Sequence, residues 1–157
     1  MSATKLDNVD RKILKHLQDN GRITNVELAE RVGITAPPCL RRVRALEEAG
    51  FINGYHADLN LEMMGYGITV IVMVGLDSQA DAGLQAFEEL VNGWDLVREC
   101  YMLNGEFDFV LKIVARDLAE FQSFLTAHLT PAPHVASVKT SLTIRATKRE
   151  PGAPVAV

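Results

Sequence analysis

The sequence has little that would support a metal site, a disulfide or a membrane span. Its 157 residues include two cysteines and four histidines, and none stands at the spacing of a Cys-x-x-Cys, His-x-x-His or His-Glu-x-x-His motif. We therefore expect no metal, and free thiols at Cys39 and Cys100 in a reducing compartment. The longest apolar run, residues 68–76, is far shorter than the roughly 20 residues of a transmembrane helix, so no membrane contact is expected.

The chain also lacks repeats, low-complexity tracts and any legible catalytic set. Residues 1–7 do not contain the apolar stretch of a secretory signal, so we expect a cytoplasmic protein. No Ser/His/Asp or Cys/His arrangement is visible, and we therefore expect neither an enzyme nor a cofactor. The composition, 48% hydrophobic and 23% charged, is that of a folded globular protein.

Charge is distributed unevenly. The whole chain carries −4, yet residues 1–60 hold nine Lys or Arg against eight Asp or Glu, and the remainder is acidic. Three of the basic residues, Arg41, Arg42 and Arg44, fall within four positions. The sequence therefore divides near residue 60, and contact with a polyanion is expected only in the first part.

Two amphipathic helices are predicted before residue 33. The first begins at Asp7, which supplies an N-terminal cap. Its apolar stripe consists of Val9, Ile13, Leu14 and Leu17. The second begins at Asn25, because Thr24 and Glu27 form a capping box. Its predicted apolar face consists of Val26, Ala29 and Val32.

A third helix, residues 36–49, follows a tight turn at Gly33. Thr35 is predicted to cap it, and Pro37 and Pro38 are tolerated in its first turn because those amides lack intrahelical partners. At about 100° per residue, Arg41 lies opposite an apolar side. That side consists of Ala36, Cys39, Leu40, Val43 and Leu46. Two short helices joined by a glycine turn predict a helix-turn-helix, whose second helix enters the DNA major groove.

This geometry assigns candidate contacts to double-stranded DNA. Arg41 at the centre of the exposed face is predicted to contact a base edge, with Arg42 and Arg44 on flanking phosphates. A solvated arginine-rich face is the alternative. The full set of candidate DNA contacts is Asn25, Thr35, Pro37, Pro38, Arg41, Arg42 and Arg44.

Two smaller features complete the first domain. Residues 51–55 place Asn53-Gly54 between apolar and aromatic residues, which predicts a hairpin wing. Cys39 lies on the apolar side of the third helix, where we expect it to pack as a small hydrophobe; a redox role is the alternative.

Residues 67–148 show the order strand, helix, strand, strand, helix, strand. The strands are predicted at 68–76, 97–103, 107–115 and 135–146, with helices capped by Ser78 and Asp117. This βαββαβ order is that of a ferredoxin-like α+β sandwich. Because helices would cover only one sheet face, we expect self-association through the other.

The residues of both parts resemble the leucine-responsive regulatory protein (Lrp/AsnC) family. The matching segments are NGRITNVELA at 20–29, VGI at 32–34, CLRRVRALE at 39–47, Gly54-Tyr55, Glu99-Cys100 and GEFDFVLK at 105–112. The resemblance covers residues 6–148. It implies a transcription regulator that dimerises, often forms octamers, and responds to a small amino acid.

The resemblance also implies an effector site where the turn after the second strand meets the last strand of a neighbouring subunit. The matching positions are Met102, Asn104, Gly105, Glu106, Asp108, Thr140, Ser141 and Thr143. Backbone amides around Gly105 could bind the carboxylate of an amino acid and Asp108 its ammonium. Alternatively, Gly105 serves only the turn, Asp108 caps the hairpin, and the hydroxyls are solvent-side strand residues. Where many members have LPGV, residues 132–135 read APHV, and His134 is expected to be an exposed turn residue.

We therefore expect a winged helix-turn-helix DNA-binding domain at 1–58, a linker at 59–66, an amino-acid-sensing and oligomerisation domain at 67–148, and a loose tail at 149–157. The expected function is sequence-specific transcription regulation, with a small effector as the ligand. The alternative is an amino-acid-binding assembly module that does not bind DNA directly.

Overall fold

The computed structural model describes residues 5–78 and 80–157. The first four residues of the predicted DNA-binding domain, and residue 79 ahead of the predicted fourth helix, lie outside the described residues. The chain forms two compact units. One contains residues up to 58 together with residues 148–157, and the other contains residues 59–147. We call them the DNA-binding unit and the sensing unit, after the functions that the sequence predicts.

The DNA-binding unit contains three helices. They are α1 (Asn8–Asp19), α2 (Asn25–Val32) and α3 (Ala36–Glu48). The predicted Asp7 cap and the predicted capping box of Thr24 and Glu27 are confirmed, and Asp7 also forms a capping box with Asp10 that the sequence analysis did not predict. Both α1 and α2 thus begin where side chains satisfy amides that a helix leaves without partners.

The turn between α2 and α3 depends on Gly33. Its φ of 78° lies in the left-handed region, which glycine adopts without steric cost. Its amide bonds to the carbonyls of Ala29 and Glu30, which closes α2. Thr35 precedes α3 in an extended conformation, but its side chain makes no capping hydrogen bond. The predicted Thr35 cap is therefore wrong.

The core of the DNA-binding unit consists of Ile13, Leu28, Ala29, Val32, Cys39 and Leu46. Two predicted core positions are wrong, because Val26 is 59% exposed and Leu40 is 39% exposed. Leu28 takes the inward place on α2 because this eight-residue helix is too short for a wide apolar stripe. Cys39 is fully buried, and burial raises the pKa of its thiol. This environment is that of a packed, unreactive thiol.

The hairpin predicted at residues 51–55 does not form. The described residues 51–59 contain no strand. Neither Asn53 nor Gly54 has a positive φ, and the two-residue hairpin turn favoured by Asn-Gly requires it at both positions. Instead Ile52 packs against the core, and the Tyr55 hydroxyl donates to Glu47 Oε1 at 2.9 Å. The segment is an extended arm held against α3.

The sensing unit is a four-stranded antiparallel sheet with helices on one face. Its elements are β1 (Ile68–Leu76), α4 (Asp81–Asn92), β2 (Val97–Met102), β3 (Phe109–Ala115), α5 (Leu118–Phe124), a π-helical turn (Leu125–Leu129) and β4 (Val135–Leu142). The sheet order is β2-β3-β1-β4. The predicted βαββαβ order is confirmed, and β1 and β3 are the central strands.

Several element ends differ from the predictions, and β2 and α3 each end one residue earlier, at Met102 and Glu48. Ser78 does not cap α4; its hydroxyl accepts from the Ala80 amide, and the helix begins at Asp81. β3 begins at Phe109, two residues later than predicted, because the residues before it form the turn. β4 ends at Leu142 instead of residue 146, where pairing with β1 stops.

Alternation along the strands places one apolar layer under the helices. Val70, Val72 and Val74 of β1 are buried, as are the alternate residues of β3. The other face presents Ile71 and Met73, which are only half-buried, and Tyr101, which is 58% exposed. Described helices lie on one side only, so the second face of the sheet carries apolar side chains in partial contact with solvent.

The C-terminal tail, predicted to be loose, packs on the DNA-binding unit instead. The Gln18 side chain of α1 makes two hydrogen bonds with the Ala153 backbone.

None of the helices formed by described residues combines the length and apolar character that crossing a bilayer requires.

We expect Leu111→Ala to lower the free energy of unfolding by about 2–5 kcal/mol, since it empties a fully buried site at the centre of the sheet. Leu118→Ala is the control, because that leucine is 63% exposed and its loss should change stability by no more than about 0.5 kcal/mol. Urea unfolding of both variants measures the difference. Equal losses would contradict the assignment of the core.

Candidate DNA interface and effector site

The outward face of α3 carries two arginines without protein partners. Arg41 and Arg44 are exposed, and within the described residues neither makes a hydrogen bond or ion pair. Three positions of a helix span about 300°, which leaves these two side chains about 60° apart on one face. The buried Cys39 and Leu46 face the core from the same helix. The predicted two-sided character of α3 is therefore present at Arg41 and Arg44.

Arg42 is placed differently from its two neighbours. Its Nη1 lies 2.7 Å from Asp7 Oδ2 and 2.7 Å from Asp10 Oδ1. Both carboxylates belong to the start of α1, so the guanidinium ties α3 to the first turn of α1. Charge-assisted hydrogen bonds of this kind hold geometry more firmly than neutral ones. Contact with a phosphate would compete with two carboxylates at this side chain.

The Asp7–Asp10–Arg42 cluster shifts the ionisation of its members. The amide of Asp10 and then the Arg42 guanidinium hold the pKa of Asp7 below its ordinary value of 3.8. Hydrogen bonds from Arg42 to Asp10 and Asp7 raise the pKa of the guanidinium. The sequence did not indicate either acid as a partner of Arg42, because both lie more than 30 positions away in the chain. Their position at the start of a helix indicates only an N-terminal cap.

Asn25 joins the two helices of the helix-turn-helix. Its Nδ2 donates to the carbonyl of Ala36 at 2.8 Å, while its Oδ1 is buried and has no hydrogen-bond partner among the residues that the structure describes. The first residue of α2 is thus bound to the first residue of α3, which supports the angle between them. The remaining candidates lie at the start of α3: Thr35 and Pro37 are exposed and Pro38 is half-buried. The Thr35 hydroxyl is not used as a cap.

The first group of candidate effector residues lies around the turn between β2 and β3. Met102 is 60% exposed, and Asn104, Gly105 and Glu106 are exposed as well. A Cβ added at Gly105 would meet nothing within 4 Å. The turn is therefore open to a ligand from the solvent side.

Asp108 closes the same turn from within. It is 9% exposed, and its Oδ2 accepts a hydrogen bond from the Leu76 amide at 2.7 Å. Its backbone continues the connection, since the Asp108 amide donates to Val74 and the Leu103 amide donates to Asp108. The carboxylate therefore supports the backbone where β1 ends, which was the alternative reading of this residue.

The second group lies on β4 and just beyond it. Thr140 is opposite Val72 of β1, and Ser141 is opposite Ile71. The amide and hydroxyl of Thr143 both donate to the carbonyl of Thr69 at 2.9 Å. Thr140 also lines a groove of about 380 Å³ beside the π-helical turn, together with Leu125, Thr130, Val135, Ala136, Ser137 and Val138. Sequence analysis did not indicate this groove, because it depends on β4 lying beside residues 125–130.

The strands beside the two groups lie at opposite edges of the sheet, since β2 and β4 are separated by β3 and β1. Met102 on β2 is therefore three strand spacings, or about 14 Å, from β4. The turn after β2 reaches back toward the centre of the sheet, because Asp108 is hydrogen-bonded to Val74 and Leu76 of β1.

His134 occupies the position at which the chain departs from the family pattern. Its φ of 67° makes it a left-handed residue without being glycine, and glycine is favoured there on steric grounds. Its Nδ1 lies 3.0 Å from Asp77 Oδ1, and the Asp77 amide donates to its carbonyl at 2.8 Å. Asp77 thus holds the turn in place, and His134 is exposed as predicted.

Comparison with known proteins identifies this arrangement. The model of the Lrp/AsnC ligand binding domain matches residues 69–153, and a model described as winged helix-turn-helix DNA-binding matches residues 6–53. The chain belongs to the Lrp/AsnC family. It is an Lrp/AsnC transcriptional regulator with a helix-turn-helix DNA-binding domain and a ligand-binding domain. The resemblance inferred from the sequence and the predicted fold class are confirmed.

Relatives and solved structures of the Lrp/AsnC family match nearly the whole chain. The leucine-responsive regulatory protein of Rhizobium meliloti (strain 1021) is 58% identical, over 92% of each chain. That of Escherichia coli (strain K12) is 38% identical, over 92% of this chain and 88% of its own. A transcriptional regulator of Neisseria meningitidis, solved in complex with L-Met, matches with a TM-score of 0.91 and 35% identity, over 96% of this chain and 97% of that chain.

The described part of the chain contains no cluster of three or more His, Cys, Asp or Glu side chains that could hold a metal ion.

We expect the free energy of unfolding of Asp7→Asn to fall less steeply than that of the wild type as the pH is lowered. The folded-state pKa of Asp7 is depressed, so its contribution is present above the unfolded value, near pH 4, and is lost as the pH falls through the folded value. Asparagine keeps the N-cap but not the charge. Thermal unfolding from pH 7 to pH 3 should show the variant less stable at pH 7 and less sensitive to acid.

Asp19→Asn, which removes one charge at the other end of α1, is the matched control for Asp7→Asn. If the Asp7→Asn and wild-type stability curves run parallel across this pH range, the Asp7–Asp10–Arg42 cluster does not stabilise the fold through ionisation of Asp7.

Proposed function

We propose that this regulator reads duplex DNA with the exposed face of α3, as a dimer, and that a small amino acid bound between sensing units alters its assembly. The observation that carries the proposal is the division among the three arginines. Arg41 and Arg44 are exposed and unpaired among the described residues, while Arg42 is bound to two carboxylates. The helix α3 therefore presents Arg41 and Arg44 to the solvent, while Arg42 ties the same helix to α1.

The arginines take different roles in this proposal. Arg41 contacts a base edge, since it lies at the centre of the exposed face, and Arg44 contacts a flanking phosphate. Arg42 positions α3 through Asp7 and Asp10, and it reaches a phosphate only with the guanidinium nitrogens that face outward. Thr35, Pro37 and Pro38 lie at the N-terminal end of α3, the part of a recognition helix that approaches the bases.

Asn25 supports these contacts indirectly in the proposal. Its hydrogen bond to the Ala36 carbonyl holds the start of α3 at a fixed distance from α2. In a dimer the two copies of α3 would then meet successive major-groove faces, about 34–36 Å apart. We expect an operator with two half-sites at that spacing.

The effector site is proposed to form between two copies of the sensing unit. Residues Met102, Asn104, Gly105 and Glu106 come from one copy, and Thr140, Ser141 and Thr143 from another, the arrangement that the family resemblance implies. The place of β2 and β4 at opposite edges of one sheet agrees with it. Backbone amides near Gly105 bind the ligand carboxylate. Asp108 already supports the Leu76 amide, so we assign the ammonium to the exposed carboxylate of Glu106.

The nature of the ligand follows from two sources. The donors and acceptors of the turn suit a zwitterion, and the structure from Neisseria meningitidis is a complex with L-Met. We propose an amino acid as the effector, with no cofactor and no catalytic step. The protein would act in the cytoplasm, where the DNA is.

Self-association is proposed through the second face of the sheet. Ile71, Met73 and Tyr101 on that face are incompletely buried in one chain, and a second copy would cover them. The dimers would assemble further, up to octamers, through the sheet edges that carry the effector residues. Ligand binding changes the assembly only if it favours one arrangement over another.

We expect Arg41→Ala to weaken binding at one base-pair position by about 1–3 kcal/mol. The duplex is first selected from random sequences with the wild-type chain, and variants are then titrated against every single substitution of the selected site. Arg11→Ala, an exposed arginine of α1, is the control for loss of charge. A uniform loss across all sequences would make Arg41 a phosphate contact.

The salt dependence of the same titration tests Arg44. We expect Arg44→Ala to lower the slope of log K against log salt by about 0.9 for each half-site, the value for one phosphate contact. An unchanged slope would remove Arg44 from the interface. If the wild-type chain selects no duplex at all, the protein is an assembly module that does not read DNA.

Titration calorimetry with L-Met and L-Leu, combined with light scattering, tests the effector site. We expect binding of at least one of them, a change in particle mass on binding, and loss of heat in Glu106→Gln. Glu62→Gln, outside the proposed site, should bind as the wild type does. Binding that survives Glu106→Gln unchanged would contradict the assignment of the ammonium partner.

A further inference from the structure

The C-terminal segment, residues 148–157, belongs to the DNA-binding unit although it follows the sensing unit in the chain. The sensing unit is thus an insertion in the DNA-binding unit, joined to it after Asp58 and again after Thr147. Two chain connections constrain an inserted unit more than one connection does, provided that the returning segment stays bound.

The returning segment is held by a paired hydrogen bond. The Gln18 Nε2 donates to the Ala153 carbonyl at 2.8 Å, and the Ala153 amide donates to Gln18 Oε1 at 3.0 Å. One side-chain amide therefore satisfies both backbone groups of a single residue, as a neighbouring strand would. Gln18 lies in the last turn of α1, so the segment is bound to a helix that is packed in the core.

The conformation of Gly152 suits the binding of this segment beside Gln18. Its φ is 64°, in the left-handed region that glycine adopts freely. A Cβ at this position would also overlap the Gln18 side-chain oxygen. A side chain at this position would therefore strain the backbone and displace the Gln18 amide from its paired hydrogen bond.

A second contact lies nearer the point of return. Arg149 Nη2 is 2.9 Å from Asp58 Oδ1, and Asp58 is the last residue before the chain leaves the DNA-binding unit. Both side chains are exposed, so this ion pair adds little energy. It nevertheless brings the two connections together. Val155, near the end of the segment, is half-buried.

We propose that residues 148–157 form a strap, bound to α1 through Gln18, that gives the sensing unit its second connection to the DNA-binding unit. The strap restricts the motion of the DNA-binding unit. In a dimer, this restriction would favour binding of the two copies of α3 to two half-sites at the same time. This consequence rests on the proposed function, whereas the docking of the strap does not.

Hydrogen exchange measured by mass spectrometry on the full chain tests the docking. We expect the amides of residues 148–157 to exchange roughly tenfold more slowly, on average over the bound part, than in a synthetic peptide of the same ten residues. Gly152→Ala and Gln18→Ala should remove this protection. Lys15→Ala, one turn earlier on the exposed side of α1, should keep it.

Equal exchange in the full chain and the peptide would overturn the strap. The same conclusion follows if Gly152→Ala and Lys15→Ala behave alike. Loss of protection through unfolding of a variant is recognised in the same experiment. The hydrogen exchange of the core peptides of α2 and α3 shows whether the DNA-binding unit is still folded.

Duplex binding tests the consequence. For Gly152→Ala and for a chain ending at Thr147, we expect affinity for a two-half-site duplex to fall roughly three- to tenfold, with affinity for a single half-site unchanged, because only the bivalent contact depends on restricted freedom. Equal affinity of wild type and variants for both duplexes would overturn the coupling. If the wild type binds no duplex, the proposed function fails, and the exchange measurement still decides whether the strap docks.

Discussion

The packing of α3 by Cys39 and Leu46 is the constraint on which the DNA-binding unit depends. These two side chains are buried together with Ile13 and residues of α2, so the helix cannot rotate without opening the core. Burial of that side fixes the direction in which Arg41 points. The ion pairs of Arg42 with Asp7 and Asp10 add a polar restraint at the edge of the same contact, and the result is a cationic surface of defined orientation.

The sensing unit is governed by a different constraint, the order of its strands. Placing β1 and β3 in the centre puts β2 and β4 at opposite edges of the sheet. In the proposed site the turn after β2 comes from one copy and β4 from another, so that ligand binding and assembly would be linked. The proposed strap is a second chain connection between this unit and the one that carries α3.

Patterns local in sequence predicted much of this structure. The cap at Asp7, the capping box at Thr24, the glycine turn and the βαββαβ order of the elements follow from short-range chemistry. Predictions failed where tertiary contacts decide: Val26 is exposed because Leu28 fills the core, and residues 51–55 lie along α3 instead of pairing. The partners of Arg42 and the bond between Gln18 and Ala153 join residues more than 30 and more than 130 positions apart. No periodicity within one helix or segment carries such information.

Photo-crosslinking from α3 tests the central claim most directly. A photoreactive amino acid replaces Arg41 in one chain and Lys15 of α1 in another, and each is irradiated on the selected duplex with its bases mapped afterwards. The account predicts an adduct from position 41 at a base within each half-site, and none from position 15. An adduct from position 15 with none from position 41 would show that another surface meets the DNA, and would contradict it.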